Sequence, residues 1–580
     1  MAARRLALHG GTMSVAKAFI DARDALLKRR TDFDAAVRDF RWPRMEFFNW
    51  ALDYFDFVAE GNLQPALRVV DDFSGDHTLS FSAVSARSSQ LANFLAEQGI
   101  GRGDRILIML GNVVPLWEAM LASIKLGAVI IPATTMLERD ELRDRMERGN
   151  VKAVLTHASL TDKFSSLPGA PVRIAVGEGV PPGWVDYEHS RASDVLFYAR
   201  ARTRADELLL LYFTSGTTAR PKLVAHTHAS YPIGHLSTMY WLGVQPGDVH
   251  LNLSSPGWAK HAWSCFFAPW SAQAAVVAYN YTRFDARALL DHLVRCNVTT
   301  FCAPPTVWRF LIQHDLSAWR VAIREAVSAG EPLNPEVISR VRDAWGLTIR
   351  DGFGQTETTA LVGNTPGQRV RPGSMGRPLP GCPIVLLDGQ GAGCEEGEIC
   401  IDMQNDPCIL SREYFDDPGL TAWSTRGGYY HTGDVASLDG DGFLTYIGRL
   451  DDVFKSSDYR ISPFELESVL IEHPAVVEAA VVPSPDEMRL AVAKAFVVLA
   501  AGHEPGPAVA ESLLAHVRSR VSPFKRIRRI EFASLPKTIS GKIRRVDLRA
   551  IEEARPAGGS RRPLEYWEED FPNLKGAKGG

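Results

Sequence analysis

The sequence predicts an α/β protein with a large N-terminal domain of several subdomains with parallel sheets, followed by a small mobile α+β domain. The length of 580 residues exceeds what one hydrophobic core commonly holds. Short β-branched runs alternate with helical stretches from about Leu67 onward, which is the rhythm of βα units. The composition changes near Gly448 to Asp452, where we expect a hinge at Asp451.

These observations divide the chain into three segments. Residues 1–450 form the large domain, residues 451–555 the small mobile domain, and residues 556–580 a tail rich in Gly, Pro and charge. The first 60 residues or so are charged and aromatic, and they fit surface helices.

The composition indicates a soluble protein with small-molecule partners. Lys and Arg total 64 against 68 for Asp and Glu, a net charge of −4 that favours neither nucleic acid nor anionic lipid. The longest apolar stretch, Met120 to Thr134, contains Lys125 and is broken by Gly127 and Pro132, so we expect no membrane span and no secretory signal. The 7 scattered cysteines lack a C-x-x-C pair and read as reduced thiols, which favours the cytoplasm.

The first clear βα repeat lies between residues 105 and 131. We expect a strand over Arg105 to Leu110, a helix over Pro115 to Leu126 and a second strand over Ala128 to Ile131. A second repeat begins with strands at Val298 to Cys302 and Glu325 to Ser328.

A helix should join this second repeat to a further strand. Asn334 caps it, Pro335 takes its first position, Gly346 closes it, and the next strand covers Leu347 to Arg350. Parallel strands joined by a crossover helix direct their polar ends to the same sheet edge, where open α/β sheets bind ligands. A nucleotide site is expected there.

An apolar run precedes a loop that suits polyphosphate, Tyr212-Phe-Thr-Ser-Gly-Thr-Thr-Ala-Arg-Pro-Lys222. Backbone N–H groups and hydroxyls can donate to phosphate oxygens, while Lys222 supplies compact positive charge. The spacing is not that of a Walker A loop.

Six motifs in order resemble those of the adenylate-forming superfamily, which includes acyl-CoA synthetases, peptide-synthetase adenylation domains and luciferases. They are Thr214-Ser-Gly-Thr-Thr-Ala-Arg-Pro-Lys222, Ala329-Gly-Glu-Pro332, Phe353-Gly-Gln-Thr-Glu357, Tyr430-His-Thr-Gly-Asp434, Gly448-Arg-Leu-Asp-Asp452 and Pro536-Lys-Thr-Ile-Ser-Gly-Lys542. The resemblance covers about residues 45–552. Medium-chain acyl-CoA synthetases are the most similar members, because of Phe47-Phe-Asn-Trp-Ala-Leu-Asp-Tyr54, Pro256-Gly-Trp-Ala-Lys260 and Ala303-Pro-Pro-Thr-Val-Trp-Arg-Phe310.

The resemblance implies an ATP-dependent ligase that activates a small organic acid as acyl-AMP with release of pyrophosphate. The residues implied for the β- and γ-phosphates are Thr214, Ser215, Gly216, Thr217, Thr218 and Lys222. Those implied for adenine are Gly330, Glu331, Pro332, Asp351, Gly352 and Phe353.

Further roles follow from the same resemblance. Thr356 and Glu357 would meet phosphate and Mg²⁺, which is commonly held by one carboxylate and phosphate oxygens. Asp434 and Arg449 match the ribose-binding pair, since a carboxylate can accept from both ribose hydroxyls. Arg460 would reach the α-phosphate.

Lys542 matches the lysine that spans the substrate carboxylate and the α-phosphate. A mobile ammonium delivered by rotation of the small domain about Asp451 would stabilise the charge that gathers in the transition state. With Thr214 and Glu357, Lys542 completes the expected catalytic set.

Four residues are expected to line the acid pocket: Trp258, His261, Ala303 and Gly354. Trp258 and His261 could equally be core residues, and the resemblance favours the pocket. Gly354 stands where acetate-specific relatives place Trp, which predicts a pocket deep enough for a medium-chain or aromatic acid.

Three residues depart from the family pattern: Phe353 replaces a Tyr, Ala219 replaces a Gly in the phosphate loop, and Asp458 replaces a Gly beside the pantetheine path. Because Asp458 adds bulk and negative charge near an anionic cofactor, the use of coenzyme A is left open. The alternatives are an amine, a carrier-protein thiol, activation of an oxyanion such as nitrite, or an inactive nucleotide-binding homologue.

Overall fold

The computed structural model describes residues 16–71, 75–167, 169, 171–214, 221–331, 333–456, 459–486, 490–538, 543–555 and 561–575. Within these ranges, only the backbone is described at residues 459, 460, 490 and 575. The chain divides into two compact units. The first comprises Met1–Ile384, Ile401–Tyr430 and Gly440–Leu444, and the second comprises Val385–Cys400, His431–Asp439 and Thr445–Gly580.

Helices occur throughout both units. Residues 16–28 are helical. The other α-helices span Phe33–Asp39 (α1), Asp56–Ala59 (α2), Phe81–Glu97 (α3), Val114–Leu126 (α4), Arg139–Arg148 (α5), His235–Leu242 (α6), Ala259–Ala262 (α7), Ala268–Ser271 (α8), Ala286–Arg295 (α9), Pro305–Leu311 (α10), Pro335–Trp345 (α11), Pro418–Ser424 (α12), Pro463–Ile471 (α13), Pro507–Arg520 (α14) and Arg545–Glu553 (α15). Two π-helical segments cover Trp50–Phe55 and Trp263–Phe267.

Two large sheets organise the first unit. The strands of the nine-stranded sheet, in spatial order, are Arg377–Pro378 (β16), Ala360–Gly363 (β15), Arg350–Gly354 (β14), Glu325–Ala329 (β13), Thr300–Ala303 (β12), Val249–Asn252 (β10), Ala275–Asn280 (β11), Pro65–Asp71 (β1) and Gly75–Ser80 (β2). The strands from β14 to β1 pair in parallel, and antiparallel strands flank them.

The second sheet of this unit has eight strands. In spatial order they are Glu413–Tyr414 (β19), Lys222–Thr227 (β9), Leu208–Thr214 (β8), Val129–Pro132 (β4), Arg105–Met109 (β3), Ala153–His157 (β5), Val172–Val176 (β6) and Val185–Asp186 (β7). The strands from β8 to β7 are parallel, whereas β8, β9 and β19 form an antiparallel edge.

The expected α/β class and both βα repeats are confirmed. The first repeat appears as β3, α4 and β4, and the second as β13, α11 and β14, with β13 and β14 parallel. Asn334 caps α11 by accepting from the backbone N–H of Glu336 over 2.8 Å, and Gly346 ends it at a φ of 69°. The strand after α11 begins three residues later than predicted and therefore contains the Asp351 to Gly354 motif itself.

The apolar face of α11 packs onto the nine-stranded sheet. Val337, Ile338 and Val341 join a buried cluster with Phe301 of β12 and Trp308 of α10. Because burial of a large aromatic side chain such as Trp308 contributes about 3–5 kcal/mol, this cluster fixes the strand ends that carry the polar motifs.

The N-terminal region differs from the expected surface helices. Phe48, Trp50, Tyr54 and Phe55 are all 0% exposed, and Trp50 and Tyr54 lie in the π-helical segment Trp50–Phe55. These four aromatic residues therefore form core, whereas Phe57 is 48% exposed and the charged Arg23 only 7%.

A smaller four-stranded sheet belongs largely to the second unit. Its strands, in spatial order, are Ile384–Leu387 (β17), Glu396–Asp402 (β18), Tyr429–Leu438 (β20) and Leu444–Arg449 (β21). Thr432 Oγ1 of β20 donates to the carbonyl of Ile399 over 2.7 Å, which joins the two middle strands. A hairpin follows, formed by Phe454–Ser456 (β22) and Tyr459–Ile461 (β23).

The remaining sheet of the second unit includes part of the predicted tail. Its strands, in spatial order, are Val476–Asp486 (β24), Leu490–Leu499 (β25), Ile527–Phe532 (β26) and Glu565–Trp567 (β27). Lys494 of β25 is fully buried among Glu531 at 2.7 Å, Glu552 at 2.8 Å and Glu565 at 3.2 Å. Strand β27 therefore supplies both a hydrogen-bonded edge and a carboxylate to this domain. Among the described residues, no helix has the length and apolar character needed to cross a membrane.

Candidate active site

Parallel pairing of β13 and β14 brings most of the predicted adenine residues together. Ser328 pairs with Asp351 and Ala329 with Gly352, so Gly330 and Glu331 lie beside the end of β14. The predicted set of Gly330, Glu331, Asp351, Gly352 and Phe353 therefore shares one sheet edge. Pro332 lies outside the described residues.

Asp351 is a buried carboxyl in this edge, 7% exposed. Burial raises its pKa to about 7. The backbone N–H of Gly352 donates to Oδ1 over 2.9 Å and partly offsets this rise by stabilising the ionised carboxylate. The ammonium of Lys260 also lowers this pKa, and its Nζ donates to the carbonyl of Ala329 over 2.9 Å. Lys260 ends the family motif Pro256 to Lys260, but the sequence did not predict it as a site residue.

The predicted phosphate loop leaves one strand and enters the next. Strand β8 ends at Thr214, which pairs with Lys222 at the start of the antiparallel β9. The ends of the loop are therefore adjacent, while Ser215, Gly216, Thr217 and Thr218 lie outside the described residues.

Tyr414 connects the two predicted phosphate and metal residues of the first unit. Its hydroxyl donates to Glu357 Oε1 over 2.9 Å, and Lys222 Nζ lies 5.3 Å from its ring centroid. The Tyr414 hydroxyl is also 3.4 Å from that of Tyr430, which donates to Gln355 Oε1 over 3.2 Å. An ammonium and a partly exposed carboxylate thus flank one phenol, an arrangement that suits a metal-bound polyphosphate.

Thr356 is held by a buried histidine. His226 Nε2 donates to the carbonyl of Thr356 over 2.7 Å. Burial lowers the pKa of His226 to about 4, so the ring is neutral and its proton lies on Nε2. This bond positions the segment between Gln355 and Glu357.

Asp434 and Arg449, the predicted ribose pair, are in direct contact in the second unit. Arg449 Nη1 donates to Asp434 Oδ2 over 3.1 Å, and Tyr446 donates to Oδ1 over 3.0 Å. Arg449 and Tyr446 therefore hold the Asp434 carboxylate in a fixed orientation. Arg449 Nε also lies 3.6 Å from Oδ1 of Asp451, the predicted hinge.

Three further residues singled out in the sequence lie wholly or partly outside the described residues. Lys542 lies outside the described residues, as does Asp458, and the side chain of Arg460 is also outside them.

The predicted pocket residues occupy different surroundings. Ala303 is fully buried at the end of β12, and Trp258 immediately precedes α7. His261 is 1% exposed and its Nε2 lies 3.1 Å from Asn112 Oδ1. Burial lowers the pKa of His261 to about 3, so this ring is a neutral hydrogen-bonding group.

Trp263 occupies the space beside Gly354. A Cβ atom built on Gly354 would overlap Cη2 of the Trp263 ring. Trp263 is 6% exposed, and its Nε1 donates to the Tyr231 hydroxyl over 3.1 Å, which fixes the indole. Trp263 lies beyond the quoted Pro256 to Lys260 motif, and its position could not be read from the sequence.

The first unit places polar groups at the ends of parallel strands and also contains a strand–loop–strand element with a lysine. This combination is typical of enzymes that bind nucleotide phosphates. Comparison with known proteins identifies the enzyme family. The family model described as AMP-binding enzyme matches residues 58–414, and that of the AMP-binding enzyme C-terminal domain matches residues 465–542. The chain belongs to the AMP-binding enzyme family.

Relatives extend over nearly the whole chain. 4-Hydroxybutyrate–CoA ligase 1 of Metallosphaera sedula is 42% identical over 533 residues, which are 90% of this chain and 93% of the relative. The mitochondrial acyl-coenzyme A synthetase ACSM3 of Rattus norvegicus is 37% identical over 558 residues, with 92% and 95% covered.

Solved structures agree with this assignment. A benzoate CoA ligase from Burkholderia xenovorans LB400 has a TM-score of 0.76 at 30% identity, covering 87% of this chain and 100% of that one. The anthranilate CoA ligase AuaEII in complex with anthranoyl-AMP has a TM-score of 0.80 at 27% identity, with 88% and 98% covered. The protein is an ATP-dependent, AMP-forming ligase that resembles acyl-CoA synthetases.

Proposed function

We propose that this ligase joins a short-chain carboxylic acid, of about the size of 4-hydroxybutyrate, to coenzyme A. In the first step the carboxylate attacks the α-phosphorus of ATP, forms acyl-AMP and displaces pyrophosphate. In the second step the thiol of coenzyme A attacks the acyl carbonyl, which yields the thioester, AMP and a proton. The acceptor is supported by two relatives named as a CoA ligase and a coenzyme A synthetase.

The position of Trp263 is the observation that carries the choice of acid. Gly354 alone predicts a deep pocket, but a Cβ atom at residue 354 would overlap both Cη2 of the Trp263 indole and the carbonyl oxygen of Thr359, so the space beside Gly354 is already occupied. Its hydrogen bond to Tyr231 holds it there. A pocket limited by this ring favours short acids over medium-chain ones, because each methylene group needs added apolar volume.

The nucleotide roles assigned from the sequence form part of the proposal. Lys222 binds the β- and γ-phosphates and Asp434 the ribose hydroxyls, while Asp351 lies in the segment that frames adenine. Glu357 would hold Mg²⁺, and its carboxylate fits the oxygen ligands that this ion prefers. When bound, the ion neutralises phosphate charge.

We also propose that residues 451–555 turn about Asp451 between the two steps. Rotation of a small domain would deliver Lys542 for adenylation and withdraw it for thioester formation. Lys542→Ala should abolish pyrophosphate release from ATP and acid, yet retain transfer from chemically prepared acyl-AMP to coenzyme A. Equal loss of both steps would contradict this division of labour.

A panel of acids tests the proposed function directly. The full-length enzyme is assayed with ATP and Mg²⁺ for acetate, butyrate, 4-hydroxybutyrate, hexanoate, octanoate, benzoate and nitrite, each with and without coenzyme A. We expect the highest kcat/KM for the four-carbon acids and an acyl-CoA product by mass. Pyrophosphate release without thioester would instead favour another acceptor, and no release with any acid would favour an inactive homologue.

Trp263→Ala tests the pocket limit. The variant should gain activity toward hexanoate and octanoate relative to butyrate. Trp270→Ala is the matched control, because Trp270 is also a buried indole, with a 2.9 Å bond to the carbonyl of Ala66, and is not among the atoms nearest to a Cβ built on Gly354. An unchanged chain-length profile in Trp263→Ala would exclude this role.

A further inference from the structure

Three side chains of the second unit converge on one point in the four-stranded sheet. Glu398 and Cys400 lie on β18 and His431 on the neighbouring β20. Alternation along a strand places residues 398 and 400 on the same face. His431 Nδ1 is 2.8 Å from Glu398 Oε2 and 3.4 Å from Cys400 Sγ, and all three ligand atoms lie within 4.8 Å of one another.

We propose that Glu398, Cys400 and His431 bind Zn²⁺. Thiolate, imidazole and carboxylate are the ligands of protein zinc sites, with bond lengths of about 2.0–2.3 Å. Tetrahedral geometry with these bonds separates the ligand atoms by roughly 3.3–3.6 Å. The sulfur–nitrogen distance of 3.4 Å already matches, and the 2.8 Å nitrogen–oxygen contact needs to open by about 0.5 Å.

Charge and burial favour zinc over harder cations. Cys400 is fully buried, and the side chains of Glu398 and His431 are each 10% exposed. One thiolate and one carboxylate neutralise a divalent ion, so the occupied site carries no net charge into largely buried surroundings. Mg²⁺ and Ca²⁺ prefer sets of oxygen ligands, which this site does not offer.

The proton balance of binding follows from the ligand chemistry. Cys400 loses its S–H proton to solvent as the S–Zn bond forms. His431 must present the lone pair of Nδ1, so its ring proton moves to Nε2 and its bond to Glu398 is replaced by two metal bonds. Binding therefore releases one proton, and three protein ligands leave the fourth tetrahedral position to water.

Glu398 also connects this site to the turn before Asp434. Its other oxygen, Oε1, accepts from the backbone N–H of Gly433 over 2.8 Å, and Gly433 has a φ of 71°. A metal bond to Oε2 and a turned His431 ring would displace this turn, so zinc should raise the KM for ATP. This linkage, unlike the binding itself, rests on the proposed role of Asp434 in holding ribose.

Cobalt substitution tests the binding without an activity assay. Metal-free, reduced full-length protein is titrated with Co²⁺, which gives a thiolate-to-cobalt charge-transfer band when a cysteine ligates it. We expect one equivalent to produce the band and Zn²⁺ to remove it. Cys400→Ser and His431→Gln should lose the band, while Cys394→Ser, a more exposed thiol with its Sγ 3.2 Å from the carbonyl of Glu396, should keep it.

The outcomes separate the two parts of the inference. No stoichiometric band, or a band that Cys400→Ser retains, would overturn the zinc site. An unchanged melting temperature in Cys400→Ser and His431→Gln guards against loss of the band through misfolding. A band without any Zn²⁺-dependent rise in the KM for ATP would overturn the linkage, and neither result depends on which acid the enzyme uses.

Discussion

Tyr414 donates its hydroxyl hydrogen to Glu357 over 2.9 Å, and the two residues are 57 positions apart in the chain. Tyr414→Phe keeps the ring beside Lys222 but removes this bond. Hydrogen bonds to charged groups contribute about 1.5–3 kcal/mol, so we expect kcat/KM for MgATP to fall by about tenfold or more. Steady-state kinetics with ATP as the varied substrate measure the change.

Tyr187→Phe is the matched control for this prediction. Tyr187 is a buried phenol bonded to the carboxylate of Glu118, far along the chain from the motifs assigned to nucleotide. Its loss should lower the melting temperature without changing the KM for ATP. Equal kinetic effects in the two variants would argue against a role for Tyr414 at the phosphates.

Asp434→Asn should weaken discrimination between ATP and 2′-deoxy-ATP. The wild-type carboxylate is positioned by Arg449 and Tyr446 and can accept from both ribose hydroxyls. The variant has only one acceptor oxygen, so the ratio of kcat/KM for the two nucleotides should move toward one. Asp388→Asn, in an exposed turn where the Asp388 side chain accepts from the backbone N–H groups of Gln390 and Ala392, should keep the wild-type ratio.

Asp351→Asn should change how stability depends on pH. The pKa of Asp351 is raised by burial to about 7 from an ordinary value of 3.8. Its stabilising contribution is therefore complete below about pH 4 and is lost as the pH rises through 7. Above that pH the variant should be the more stable protein, by up to about 4 kcal/mol.

Urea denaturation at pH 5 and pH 8 measures this difference. The variant keeps an oxygen that can accept from Gly352, so the backbone contact survives. The gap between variant and wild type should favour the variant more at pH 8 than at pH 5. A gap that does not change with pH would mean that Asp351 does not titrate in this range.

Buried histidines should make the protein sensitive to acid. Burial lowers the pKa values of His226, His228 and His250 to about 4, and that of His261 to about 3, from 6.5. Their contribution is complete above pH 6.5 and is lost as the pH falls toward 4, because the unfolded chain takes up the protons. Each such proton lowers stability by about 1.4 kcal/mol per pH unit.

His228→Phe isolates one of these protons. Neither ring nitrogen of His228 has a hydrogen-bond partner among the described residues, so an apolar ring of similar size should fit. The melting temperature of the variant should fall less than that of the wild type between pH 7 and pH 5. His77→Gln, at an exposed position, should follow the wild type, and a parallel decline in His228→Phe would contradict the prediction.

Local sequence signals predicted the parts of this fold that depend on neighbouring residues. The caps at Asn334 and Gly346, and the repeat of β3, α4 and β4, follow from turn chemistry and periodicity. The shared edge of β13 and β14 could also be anticipated, because crossover connections in parallel sheets have one handedness. The burial of Trp50, Tyr54 and Phe55 could not, since aromatic residues near a terminus fit both surface and core.

The missed site residues all depend on pairing between distant segments. Tyr414 reaches Glu357 because β19 pairs with β9, with Tyr414 opposite Val224. Trp263 meets Gly354 only after helix and sheet have packed, and Glu398 meets His431 only when β18 and β20 align. No periodicity or spacing in a single sequence encodes such contacts.

Strand β27 limits how far the chain can be shortened from its C-terminal end without loss of structure. It covers one edge of β26, and Glu565 within it helps to neutralise the buried Lys494. A chain that stops at residue 555 would expose an unpaired strand edge, which invites aggregation, and would remove one carboxylate from a buried ammonium. Recombinant forms of this enzyme should therefore retain the segment through residue 575 and carry any fusion partner beyond it.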